Sequence, residues 1–122
     1  MILVDTSVWI DHLRSGNARL SALLDACRVL GHPFIIGEIA LGSLRARAMV
    51  IEALEALPAI PVADHHEVMH LIEARGLSGL GIGYVDAHLI ASARLQAGSS
   101  LWTLDRRLQD AAARLGIAQL SP

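Results

Sequence analysis

Four acidic side chains stand where they could act together. Three come at or just after the end of short apolar runs that are typical of buried strands: Asp5, Glu38 and Asp105. The carboxyl ends of parallel strands share one edge of a sheet, so we expect these three to meet there. The fourth, Asp86, falls in the first turn of a very apolar helix pattern, where an unpaired carboxylate is costly.

Several carboxylates at one sheet edge cannot all stay ionised without a cation. Mg²⁺ or Mn²⁺ prefers oxygen ligands and keeps water molecules that a phosphate group can replace. An ion held in this way can lower the pKa of water and stabilise charge on phosphoryl oxygens. The four acids therefore predict phosphodiester chemistry with Mg²⁺, or Mn²⁺, as the cofactor.

Each acid taken singly also has a simpler interpretation. Asp5 and Asp105 could be N-caps of helices that follow strands. Glu38 could be a first-turn acid that the helix dipole favours. Capping explains Asp86 least well, because this residue lies beside the apolar stripe of its helix.

The spacing of apolar residues indicates the elements that would position these acids. Strands are predicted at 1–4, 33–36 and 100–104, with shorter ones at 60–62 and 117–120. Helices are predicted after Asp5, from Asn17, from Gly37, and over 46–57, 64–75, 84–96 and the residues after Asp105. This alternation predicts an α/β fold, a three-layer sandwich around a central, mostly parallel sheet. A length of 122 residues suits a single domain over 1–122.

The basic residues narrow the chemistry further. All ten are arginine, and the absence of lysine excludes P-loop and Schiff-base mechanisms. The net charge of −2 is not that of a protein that binds nucleic acid through bulk charge. Local contacts to RNA would fall to individual arginines, and the candidates are Arg14, Arg45, Arg106 and Arg107. Each of them could equally be an ordinary surface arginine.

Cysteine count and hydropathy bear on the setting of the protein. The single cysteine, Cys27, excludes a disulfide within the chain and favours the cytoplasm. No apolar run reaches the roughly 18 to 20 residues of a membrane span, and the first residues do not have the pattern of a secretory signal. We therefore expect a cytoplasmic protein with no membrane segment.

A competing motif lies at residues 66–70, which read HEVMH. On a helix, His66 and His70 would share a face and Glu67 could act as the general base of a zinc peptidase. A catalytic zinc needs a third protein ligand, and Glu67 also stands at the capping-box position relative to Asp64. The alternative is a solvated polar helix face.

Four segments in order carry a resemblance to a known family: ILVDTSVWIDHLR, IIGEIALGSL, GYVDAHLIASA and LWTLDRRL. Together they resemble the PIN-domain family, and closely the VapC-type toxin ribonucleases of bacterial toxin–antitoxin pairs. The resemblance covers residue 2 to about residue 117. It implies a Mg²⁺- or Mn²⁺-dependent endoribonuclease that a VapB-type antitoxin holds inactive, and it favours a homodimer.

The resemblance also assigns roles to particular residues. The acids of the family match Asp5, Glu38, Asp86 and Asp105, which are the four that the spacing singles out. Its hydroxyl groups match Thr103 and either Thr6 or Ser7, of which Ser7 is favoured. The pair Arg106–Arg107 departs from the family pattern after the last acid. A PIN-like binding protein or regulator with little catalysis remains the alternative, because the net charge is weakly acidic.

Overall fold

Three short apolar segments pair into a parallel sheet in the computed structural model, which describes residues 1–119. The strands are β1 (Ile2–Val4), β2 (Val29–Leu30) and β3 (Ser100–Trp102), in the order β2-β1-β3. All of β1 and β2 is buried, as expected for strands covered on both faces. Because β1 is central, the residue that follows it lies between the ends of both neighbours.

Seven helices join and cover these strands within residues 1–119. They are α1 (Thr6–Ser15), α2 (Ala18–Asp25), α3 (Pro33–Ala40), α4 (Arg47–Glu55), α5 (His65–Arg75), α6 (Tyr84–Leu95) and α7 (Arg106–Arg114). Helix α6 packs on β3 and on α5, while α3 packs between α1 and α4. These contacts confirm the predicted α/β sandwich.

Helix α6 is the most deeply buried helix of the described chain. Residues 87–93 are all buried, so its apolar surface extends around the helix rather than along one stripe. Only its first turn, which carries Asp86, reaches the edge of the sheet with partial exposure. The element that presents Asp86 is therefore held by the core.

Several helix boundaries were predictable from local side chains. Asn17 caps α2 by accepting a hydrogen bond from the Leu20 amide. Asp64 and Glu67 form the expected capping box at the start of α5, with donor–acceptor distances of 2.8 and 3.2 Å. The same helix ends at Gly76, whose φ of 63° is the left-handed conformation that glycine adopts most readily.

The predicted strand at 33–36 is wrong, because these residues begin α3. His32 caps that helix and Pro33 occupies its first turn, where proline is favoured. An apolar run of four residues fits a strand or a helix equally well. Glu38 therefore lies in the last turn of α3 and not at the start of a helix, and its interpretation as a first-turn acid is also wrong.

The shorter predicted strands are reduced to single bridges. Residue 59 pairs with Gly31, and Ala118 pairs with Leu101, each through one parallel bridge. The predicted strand at 60–62 is therefore wrong. Of the segment 117–120, residue 120 lies outside the described residues. In the described part of the chain, no helix has the length and apolar character needed to cross a membrane.

The burial of His32 can be tested through the pH dependence of the protein's stability. Its Nδ1 accepts the Phe34 amide, and the buried Nε2 has no hydrogen-bond partner within residues 1–119. Burial, followed by the nearby His88, lowers the pKa of His32 from 6.5 to about 4. The unfolded chain therefore takes up this proton first, and stability falls as the pH drops from about 6.5 towards 4.

We expect the titration of His32 to lower the free energy of unfolding by about 1 to 2 kcal/mol over that range. Solvent screening makes this smaller than the value that corresponds to the whole pKa shift. Urea unfolding at several pH values measures it. His32→Asn keeps a good N-cap but does not titrate, so its stability should fall less steeply with acid. Equal slopes for the two proteins would contradict the assignment to His32.

Candidate active site

Asp5 is the fixed member of the acidic group. It follows β1, its amide donates to the Trp102 carbonyl at 2.9 Å, and its side chain is 6% exposed. The residue occupies the N-cap position of α1, yet its carboxylate makes no capping hydrogen bond. Its Oδ2 instead accepts hydrogen bonds from Ser7 Oγ at 2.8 Å and from Thr103 Oγ1 at 2.7 Å. Capping therefore does not explain this acid.

The same two hydroxyl groups attach Asp5 to the segment after β3. Thr103 Oγ1 accepts the Asp105 amide, and Ser7 Oγ accepts the Leu104 amide, both at 3.0 Å. The two hydroxyl oxygens are 3.2 Å apart. Each hydroxyl thus donates to the carboxylate and accepts from a backbone amide, which fixes both its position and that of Asp5.

Glu38 is oriented from the start of α1. Thr6 Oγ1 donates to Glu38 Oε1 at 2.6 Å, across 32 residues of sequence. Thr6 and Ser7 were alternatives for one role in the sequence, and the structure gives each a carboxylate of its own. The helix that carries Glu38 packs against α1, so this hydrogen bond joins two packed elements.

Asp86 and Asp105 both engage backbone amides at helix starts. Asp86 is the third residue of α6, and its Oδ2 accepts the Gly83 amide at 3.0 Å. Asp105 caps α7 through Oδ1, which accepts the amides of Arg107 and Leu108 at 2.9 and 3.1 Å. The capping interpretation is therefore confirmed for Asp105. This capping occupies one of the two carboxylate oxygens of Asp105.

The four carboxylates are hydrogen-bonded to the protein in the same way. In each of them one oxygen accepts hydrogen bonds from the protein, and within residues 1–119 no hydrogen bond reaches the other oxygen. A carboxylate held by one oxygen is oriented and keeps lone pairs for a further partner. Hard divalent cations take oxygen ligands of this kind.

Electrostatics link the four acids to one another. Partial burial raises the pKa of Asp86, and the charges of Asp5, Asp105 and Glu38 raise it further. The hydrogen bond from the Gly83 amide opposes this shift but does not cancel it. Like charges that act on one carboxyl group in this way favour a bound cation. The other three acids that the sequence singled out therefore lie close enough to Asp86 for their charges to act on it.

The four carboxylates do not converge on a common point. Among the described residues, no three His, Cys, Asp or Glu side chains stand in positions that would hold a metal ion without adjustment. The carboxylates of Glu38 and Asp86 each accept a single hydrogen bond, from Thr6 and from the amide of Gly83. Asp5 accepts hydrogen bonds from two hydroxyl groups.

The candidate arginines fall into two groups. Arg106 and Arg107 begin α7 directly after Asp105 and are exposed. A Cβ atom at Gly81 would come within 2.8 Å of Arg107, so this side chain lies over the loop that leads into α6. Both arginines therefore lie beside the acidic edge.

Arg14 and Arg45 lie elsewhere. Arg14 is in the last turn of α1, roughly 14 Å along the helix axis from Asp5. Together with Arg45 it lines a cavity of about 570 Å³ whose walls include Leu13, Leu44 and Val50. The position of Arg14 therefore does not support the prediction that it contacts RNA at the acids.

The HEVMH segment lies on α5, as predicted. His66 and His70 are exposed, and Glu67 is engaged in the capping box with Asp64. Glu67, the candidate general base, therefore acts as a helix-capping residue. This is the structural role that the sequence offered as the alternative.

Sequence reasoning missed two features of the site. One is the contribution of backbone amides, such as those of Gly83 and Leu104, which no side-chain pattern reveals. The other is a group of packed rings beside Asp86, including Phe34, Tyr84 and His88. The i, i+4 spacing of Tyr84 and His88 was a signal that could have indicated part of it.

Comparison with known proteins identifies the class to which this fold and site belong. The PIN domain family matches residues 2–114, which is most of the chain. The chain therefore belongs to the PIN-domain family, as the four sequence segments indicated.

Particular relatives within the family are close. The chain is 49% identical over 118 residues to Ribonuclease VapC32 of Mycobacterium tuberculosis strain CDC 1551 / Oshkosh, an alignment that covers 97% of this chain and 95% of the relative. Ribonuclease VapC32 of strain ATCC 25618 / H37Rv gives the same identity and coverage. The similarity thus spans all four candidate acids.

Proposed function

We propose that this protein is a divalent-metal-dependent endoribonuclease and the toxin of a VapBC-type toxin–antitoxin pair. The observation that carries the proposal is the electrostatic coupling of Asp86 to Asp5, Glu38 and Asp105 at one edge of the sheet. The high identity to a relative named as a VapC ribonuclease supports RNA as the substrate. A chain that acts on cellular RNA in this role works in the cytoplasm.

The open carboxylate oxygens fit Mg²⁺ or Mn²⁺, because both ions prefer oxygen donors. When bound, the ion supplies positive charge at the scissile phosphate and lowers the pKa of water. Asp5 would provide the fixed position, since Ser7 and Thr103 hold its carboxylate. Glu38, Asp86 and Asp105 would complete the site.

The chain's own residues would also orient the RNA. Arg106 and Arg107 lie in the first turn of α7, next to Asp105, and their guanidinium groups suit phosphate oxygens. Partial burial of Asp86 limits water around that carboxylate and strengthens its own electrostatic contacts. We propose that these two arginines position the backbone while the acids hold the catalytic ion.

A VapB-type antitoxin and a second copy of the chain are the proposed protein partners. The groove lined by Leu13, Leu44 and Val50 carries Arg14 and Arg45 at its sides. An amphipathic segment with apolar and acidic side chains would complement it. This gives Arg14 and Arg45 a role in antitoxin binding in place of the RNA contact suggested by the sequence.

RNA cleavage by the purified protein tests the proposal. We expect cleavage of RNA with Mg²⁺ or Mn²⁺ and none with EDTA, restored when the ion is added back. Expression without an antitoxin should arrest growth, and coexpression of a cognate VapB-type antitoxin should relieve the arrest. RNA that stays intact under all metal conditions, with no effect on growth, would favour the alternative of a PIN-like regulator without catalysis.

A further inference from the structure

Six aromatic rings form a continuous series between α3, α5 and α6. Successive ring centroids are 5.0, 4.8, 4.7, 5.7 and 6.1 Å apart, in the order His32, Phe34, His88, Tyr84, His65, His66. The series passes from a buried ring at one end to exposed rings at the other. Three of its rings, those of Phe34, Tyr84 and His88, lie on the helices that carry Glu38 and Asp86, and the cleavage chemistry proposed above makes no use of them.

Two rings in this series are fixed in place although they are partly exposed. Phe34 is 36% exposed and Tyr84 is 46% exposed, and they pack on His88, which is 4% exposed. Both contacts are edge-to-face, with interplanar angles of 73° and 84°. The Tyr84 hydroxyl also lies 2.6 Å from His65 Nδ1. The rings are therefore oriented before any ligand arrives.

These rings lie next to the catalytic acids along the chain. Phe34 precedes Glu38 by four residues, so the two share a face of α3. Tyr84 begins the helix whose third residue is Asp86. His88, between the two rings, follows Asp86 by two residues.

Some aromatic residues of this chain lie in the core, and others lie at the surface. The two tryptophans, Trp9 and Trp102, are each 6% exposed and belong to the core. The one phenylalanine and the one tyrosine are the partly exposed rings beside the acids. Of the tryptophan, tyrosine and phenylalanine rings, these two are therefore the ones that solvent, and so a ligand, can reach.

We propose that Phe34 and Tyr84 form the surface on which bases of single-stranded RNA stack next to the scissile phosphate. The inference rests on the proposed ribonuclease function and adds the part of the substrate that the acids do not bind. The net charge of −2 gives the chain little general attraction for RNA. Stacking of bases on aromatic rings supplies affinity without bulk charge.

Steady-state kinetics on a short, unstructured oligoribonucleotide with one cleavage site test the proposal. Phe34→Leu and Tyr84→Leu keep apolar volume but remove the ring, and each should raise KM about 5- to 100-fold with kcat changed little. Tyr84→Phe keeps the ring and should retain a nearly normal KM. Met69→Ala removes an exposed apolar side chain from α5 and serves as the matched control. An unchanged KM in both leucine variants would overturn the proposal.

A substrate without one base separates stacking from indirect effects. An abasic nucleotide at the stacked position should raise KM for the wild type and leave little further effect of Tyr84→Leu. If no abasic position reduces the effect of Tyr84→Leu, the ring does not bind a base. Tyr84→Met, which also lacks a ring, gives the same comparison should the leucine variant fail to fold.

The outcomes distinguish this inference from the function on which it rests. A wild-type protein that cleaves no RNA rejects the ribonuclease, whereas normal cleavage and KM in all ring variants reject only the stacking surface. Ring variants with normal KM that escape inhibition by the antitoxin would show that the rings bind a peptide instead of RNA. That result would also overturn the proposal.

Discussion

Asp86→Asn should abolish RNA cleavage and leave the fold intact. The substitution keeps an acceptor for the Gly83 amide but removes the charge that is coupled to the other three acids. Loss of one group that stabilises transition-state charge costs about 100- to 1,000-fold in rate. We therefore expect at least a 100-fold lower rate of cleavage with Mg²⁺ or Mn²⁺.

The metal-free Asp86→Asn protein should be at least as stable as the wild type. Burial and three neighbouring acids disfavour the charged form of Asp86, and asparagine carries no charge to repel. Urea unfolding in EDTA measures this difference. Glu73→Gln neutralises an exposed acid on α5 and should change neither rate nor stability. Cleavage by Asp86→Asn at close to the wild-type rate would remove Asp86 from the site.

Asp5→Ala should lose both cleavage and stability, in contrast to Asp86→Asn. Removal of the carboxylate leaves the hydroxyl groups of Ser7 and Thr103 without their shared acceptor, and Thr103 is 6% exposed. A buried donor left without a partner costs about 1 to 3 kcal/mol. The loss should therefore appear in the free energy of unfolding even without metal.

Asp5→Asn separates the two roles of this residue. Its amide oxygen can still accept a hydrogen bond from Thr103, so we expect a smaller loss of stability together with the same loss of cleavage. Unfolding can be followed through the fluorescence of Trp102, which directly precedes Thr103. If Asp5→Ala unfolds at the same urea concentration as the wild type, the structural role assigned to this carboxylate is wrong.

Much of the acidic site was predictable because parallel strands dictate where their ends meet. Asp5 and Asp105 follow β1 and β3, which are neighbours in the sheet, so the prediction for them needed only the two strands. Asp86 was indicated by the cost of a carboxylate next to the apolar residues of α6. These three predictions rest on local patterns that tertiary structure did not override.

Glu38 lies in a different element from the one that the sequence predicted. The real second strand is Val29–Leu30, and two residues are too short to produce a recognisable pattern. The pattern of the longer apolar run that follows predicts a strand, although Pro33 at the start of that run favours the first turn of a helix. Glu38 nonetheless lies close enough to Asp86 to act on its charge, because α3 packs against α1.

The remaining contacts depend on tertiary structure alone. The hydrogen bond from Thr6 to Glu38 spans 32 residues, and the one from Thr103 to Asp5 spans 98. Neither pairing follows from the spacing of either residue. The same holds for Phe34 and Tyr84, whose rings meet only across His88. The sequence indicates the residue types at such a site, whereas packing decides the partners.

Binding of Mn²⁺ to the purified protein tests the central claim that four carboxylates share one cation site. Titration followed by calorimetry or electron paramagnetic resonance should show saturable binding by the wild type. Binding should weaken at least about tenfold, the scale on which metal sites respond to lost supporting groups, in Asp5→Asn, Glu38→Gln, Asp86→Asn and Asp105→Asn. Glu73→Gln should bind as the wild type does. Wild-type affinity in both Glu38→Gln and Asp86→Asn, or no saturable binding by the wild type, would contradict the claim.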